Sequence, residues 1–172
     1  MDMKGGWLGG AALVALIALG CGKDRPVPFR DERLGIAIVF PGAPQGVRYA
    51  ESTPFGAIEW FGRAYRPAGR LDSNFQAEVG NLPPGSRGGT TPAEVMGTYH
   101  RWLIARFGRV ERTELSAEQG PGFRYRVRSP MGTYLNGALV VRRGRLHRAE
   151  ATTSQGDEPK ARTFLEDFEV LP

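Results

Sequence analysis

Arginine is the side chain this sequence has in the numbers and spacing to do chemistry. Eleven arginines fall between Arg101 and Arg148, opposed only by Glu111, Glu114 and Glu118, so that segment carries a net charge of +8 and the remainder −3. Arg124, Arg126 and Arg128 alternate with Phe123, Tyr125 and Val127. Successive side chains of a β-strand point to opposite faces, so this spacing predicts three guanidinium groups on one face and three apolar groups on the other. Arg142, Arg143 and Arg145 gather at a predicted turn between two strand-like runs. Guanidinium is a permanently charged planar fork that fits carboxylate and phosphate groups. The chemistry open to these six residues is recognition of an anion: a lipid headgroup, an acidic polysaccharide or an acidic protein. The competing reading is a solvated sheet face, because 20 of the 23 basic residues are arginine, as a GC-rich coding sequence gives.

Other reactive patterns are missing. No Gly-x-Ser-x-Gly elbow presents a serine nucleophile. His100 and His147 sit in no motif that would make either a base or a ligand, and one cysteine with two histidines gives no zinc spacing. Asp31-Glu32 and Asp157-Glu158 are adjacent pairs suited to capping and helix-dipole roles, not to facing each other across a cleft. Gly85-Ser86-Arg87-Gly88-Gly89 lacks the Gly-Lys-Ser/Thr ending of a phosphate loop and reads as a connection. The expectation is no catalytic residue, no metal and no cofactor. The alternative is a small hydrolase-like enzyme whose cleft comes from residues distant in sequence.

The lone cysteine is informative through its position. Met1 to Lys4 is a short charged start, and Trp7 to Leu19 runs thirteen residues without a charge. That is short of the roughly 20 residues a membrane-spanning helix needs and has the shape of a secretory signal. Ile17-Ala18-Leu19-Gly20-Cys21 at its end resembles the lipobox of bacterial lipoproteins. The resemblance implies a signal peptide over 1–20 and an acylated (palmitate-bearing) Cys21; the charged, proline-bearing run that follows reads as a tether over 21–30, and the remaining length suits a single domain over 31–172. The resemblance also implies a protein held at a membrane of the bacterial cell envelope, facing the periplasm or the outer surface. Two or three acyl chains, at about 0.8 kcal/mol per buried CH₂, anchor a protein stably. The partners expected are the membrane through its lipid anchor and an envelope protein or anionic ligand. Nucleic acid fits the charge but not this address.

The elements that must position the arginines can be read from the hydrophobic pattern. Leu34 to Phe40, Gly46 to Glu51, Phe55 to Arg66 and Asn74 to Val79 carry strand signals. Thr91-Pro92-Ala93-Glu94 is a capping-box start, followed by a stripe of Val95, Met96, Tyr99, Trp102, Leu103 and Phe107 that Gly108 ends. Four further strands are predicted over Arg109–Leu115, Gly122–Arg128, Thr133–Arg142 and Arg145–Thr153, the last two as a hairpin. A final helix follows, with Ala161, Phe164, Leu165 and Phe168 as its apolar stripe. Strand runs broken by single helices predict an α+β fold, a mainly antiparallel sheet covered by two helices.

Phe40-Pro41-Gly42-Ala43-Pro44, Gly120-Pro121-Gly122-Phe123 and Thr163-Phe164-Leu165-Glu166-Asp167-Phe168, in this order, resemble the opening, middle and close of bacterial PsbP-like proteins. The resemblance implies an α/β/α sandwich around an antiparallel sheet and a non-enzymatic binding or scaffold role. It transfers no binding residue.

Overall fold

The computed structural model describes residues 25–87, 90–130, 132–154 and 159–172. Cys21, Gly88, Gly89, Asp157 and Glu158 lie outside these residues, and so do the expectations attached to them. In chain order the elements are β1 (Val27–Asp31), β2 (Ile36–Phe40), β3 (Gln45–Thr53), β4 (Gly56–Tyr65), β5 (Asn74–Asn81), α1 (Pro84–Arg87), α2 (Pro92–Phe107), β6 (Val110–Glu114), β7 (Gly122–Arg128), β8 (Tyr134–Arg142), β9 (Arg145–Thr153), α3 (Pro159–Glu166) and β10 (Glu169–Val170). Among the described residues no helix is long and apolar enough to cross a membrane.

The main layer is a seven-stranded antiparallel sheet in the order β3-β4-β5-β9-β8-β7-β6. One face carries Trp60, Phe123, Tyr125, Val127, Leu139 and Leu146, which pack with Val95, Tyr99 and Leu103 of α2. The other face carries Phe75, Ala77, Val79, Ala149 and Ala151, which pack with Ala161, Phe164 and Leu165 of α3. Helix α2 starts as its residues predict. Thr91 Oγ1 accepts from the Glu94 amide at 3.3 Å, and the Glu94 carboxylate accepts from the Thr91 amide at 2.7 Å. At the other end the Gly108 amide donates to the Ile104 carbonyl, at a φ of +80° that favours glycine.

The architecture is α+β, as the order of elements predicts. Its layering is richer than one sheet under two helices. A second, three-stranded sheet in the order β1-β2-β10 lies beside α3. Ile36, Ile38 and Phe40 of β2 enter the same core as Phe75 and Phe164, with Phe40 and Phe164 rings 5.2 Å apart. Strand β1 takes Val27 to Arg30 out of the stretch read as tether. Pro28 is tolerated because β1 is an edge strand, where a missing amide costs no ladder bond.

Candidate anion-binding cleft

Strand β7 has the predicted alternation. Phe123, Tyr125 and Val127 are buried against the α2 side, while Arg124 and Arg126 are half-buried on the α3 side and Arg128 is exposed near the strand's end. Arg124 and Arg126 open into a cleft of about 270 Å³ between the β6-β7-β8 corner of the sheet and α3. Glu111 and Thr113 of β6, Asn136 of β8 and Ala161, Arg162 and Leu165 of α3 complete its walls.

Register explains this company. Arg126 is opposed by Glu111 on one side and Asn136 on the other, and Arg124 by Thr113 and Ala138. Directly opposed residues of an antiparallel sheet share a face, so these side chains meet without any loop to carry them. The Arg126 guanidinium lies 5.0 Å over the Tyr134 ring, which holds it against the sheet. One Arg124 amino group reaches the Leu165 carbonyl at 3.4 Å.

Three donors here are buried and lack a partner among the described residues: Arg124 Nε, Arg126 Nε and Asn136 Nδ2. An unpaired buried donor costs about 1–3 kcal/mol, and native structures keep few of them. All three belong to side chains lining one cleft, two of them on cations. The arrangement can accept an oxyanion. It offers no nucleophile beside a base.

The other predicted arginines are placed elsewhere. Arg142, Arg143 and Arg145 flank the β8–β9 turn, where Arg143 has a φ of +52°. Arg142 is six residues along β8 from Asn136, roughly 20 Å at strand rise. Arg142 Nη1 donates to the Val170 carbonyl at 3.0 Å, and Arg145 reaches the Arg33 carbonyl at 3.3 Å. These two contacts tie the small sheet to the large one. The structure thus brings Arg124 and Arg126 together and sets the turn arginines apart from them.

Compared with protein-family models and with curated proteins, the sequence matches none. In overall shape the chain is similar to a solved structure, cyanobacterial PsbP (CyanoP) from Synechocystis sp. PCC 6803. The two are 16% identical with a TM-score of 0.49, over 95% of this chain and 98% of that one.

A second polar group, on the α2 face, was not foreseen. Arg148 is buried among three carboxylates. Its Nε donates to Glu78 at 2.8 Å, Nη1 to the Tyr99 hydroxyl at 2.7 Å and Nη2 to the Tyr49 hydroxyl at 2.9 Å. Glu51 lies 3.0 Å and Glu150 3.7 Å from the same guanidinium, which stacks 4.0 Å over the Trp60 ring. Tyr49 donates to Glu78 and Tyr125 to Glu150, so hydroxyls supply donors that a second cation would otherwise provide. Burial pushes the Glu78 carboxyl above its usual range, with Arg148 opposing. Burial likewise raises the Tyr49, Tyr99 and Tyr125 hydroxyls, so all three stay protonated. This network has its central side chains, Glu78, Tyr99 and Arg148, buried. It sets the register of β5 against β9, where Glu78 opposes Arg148.

His147 is buried at the joint between the sheets, facing the Gly35 turn, and its Nδ1 has no partner among the described residues. Burial, then Arg145 and Arg142, bring its pKa down to about 4, so it is neutral at pH 7. His100 rests edge-on against Phe123 at 6.0 Å. Neither histidine lines the cleft.

Proposed function

We propose that this chain is a non-enzymatic binding module of the bacterial envelope, lipid-anchored at Cys21, whose Arg124/Arg126 cleft receives an anionic group. What supports the binding reading is one observation: Arg124 Nε, Arg126 Nε and Asn136 Nδ2 are buried, unpartnered and gathered at one cleft. A ligand oxygen there would gain charge-assisted hydrogen bonds from donors that have no partner among the described residues. The sequence resemblance to PsbP-like proteins is the ground for a binding or scaffold role, and the lipobox-like run before Cys21 for the anchor.

The test is titration of the full chain, in non-ionic maltoside micelles, with inorganic phosphate followed by amide chemical shifts. Binding should weaken as salt rises. It should drop at least tenfold in the Arg124→Gln/Arg126→Gln variant. Salt-independent binding, or an unaffected double variant, overturns the reading.

A further inference from the structure

We propose that the cleft takes a zwitterion, an oxyanion with an ammonium group a few atoms away. This rests on the anion-binding reading and names the second charge of the ligand. Glu111 and Arg126 are directly opposed on β6 and β7, a placement that puts Cα atoms about 4.5–5.5 Å apart. Opposite charges so close ordinarily pair with each other. Here the Arg126 guanidinium is turned onto the Tyr134 ring instead. Glu111 makes no ion pair or hydrogen bond among the described residues, although it is exposed and lines the same cleft.

The cleft therefore presents two cations, Arg124 and Arg126, and one carboxylate, Glu111, that do not pair with each other. A plain anion on Arg124 and Arg126 would lie within the field of Glu111, like charge against like. A ligand carrying an ammonium group turns that repulsion into attraction. Ligand size is bounded too. The space is about 270 Å³, walled on the helix side by Ala161, Arg162 and Leu165 and on the β6 side by Glu111, so it holds the two charged ends and a short carbon link, with the ammonium on the Glu111 side. Phosphate and carboxylate zwitterions share this chemistry.

The experiment compares each zwitterion with its plain anion on the full chain in maltoside micelles: O-phosphoethanolamine against ethyl phosphate, and β-alanine against propionate. The zwitterion should bind at least fivefold more tightly in one pair or both, and the pair that responds identifies the oxyanion. Glu111→Gln should abolish the preference by weakening the zwitterion and strengthening the plain anion. Glu111 is exposed, so the variant should keep the wild-type melting temperature. Equal affinities within both pairs, or a preference that survives Glu111→Gln, overturns the zwitterion and leaves the anion site standing. No binding by any of the four overturns both.

Discussion

Tyr125 reaches Glu150 across the bare backbone of Gly137. The three are consecutive across the register of β7, β8 and β9, and the Tyr125 hydroxyl donates to the Glu150 carboxylate. A Cβ at position 137 would lie inside the Tyr125 ring's van der Waals envelope. Gly137→Ala should therefore cost about 1–3 kcal/mol through overpacking. Urea denaturation checks this: the midpoint should fall with the slope unchanged. A midpoint equal to wild type would show that the ring can move without loss.

Arg148 is held by more partners than an ammonium could serve. Arg148→Ala leaves Glu78 buried without its cation and should cost about 3–5 kcal/mol. Arg148→Lys should recover little of this, because a point charge cannot hold Glu78, Tyr99 and Tyr49 together. Stability of the lysine variant within about 1 kcal/mol of wild type, an exposed-pair magnitude, would refute the need for a fork.

His147 sets a pH window. Its folded pKa of about 4 lies below the ordinary value of 6.5 that the unfolded chain retains. Between those limits the unfolded state binds more protons, so stability from this group is full above about 6.5 and falls as pH drops to about 4. Relative to His147→Met, the wild type should lose about 3 kcal/mol on going from pH 7 to pH 4. Paired urea titrations at several pH values measure this, and a constant difference would rule it out.

The turn arginines and the cleft arginines should separate cleanly. Arg142→Gln removes a charged hydrogen bond to the Val170 carbonyl and should cost about 1–2 kcal/mol. It should speed hydrogen exchange at β10 and β2 and leave phosphate affinity unchanged. Arg126→Gln should do the reverse. Loss of phosphate binding in Arg142→Gln would mean the two groups act as one surface.

Cys21→Ser tests the anchor. The substituted chain should carry no acyl group by mass spectrometry, and either leave the membrane fraction or stall as its precursor. Membrane attachment with normal maturation would remove the lipoprotein reading.

Local signals were legible where one element decides the outcome. Thr91, Pro92, Glu94 and Gly108 bound α2 by capping chemistry alone, and the alternation in β7 gives the faces of Arg124 and Arg126. What depends on partners was not legible. Gln76 and Glu78 alternate with Phe75, Ala77 and Val79, a pattern that reads as a solvated strand face. Both faces are covered once α2 packs on one side, and Glu78 becomes buried. Asn136 joins the cleft only through its register with Arg126. Strand β1 was hidden by Pro26, Pro28 and their charged neighbours, because edge pairing leaves no periodic trace.

The early start of β1 has a mechanical meaning. Val27 stands six positions after Cys21, about 20 Å of chain at full stretch. A folded unit of this size is roughly 35–40 Å across, from the usual scaling of radius with length. With Cys21 acylated, the leash is shorter than the body it holds. The domain would ride on the bilayer rather than patrol the space beyond it. Whatever fills the cleft would have to arrive at the membrane, and a ligand carried by that membrane would meet the domain at a high effective concentration.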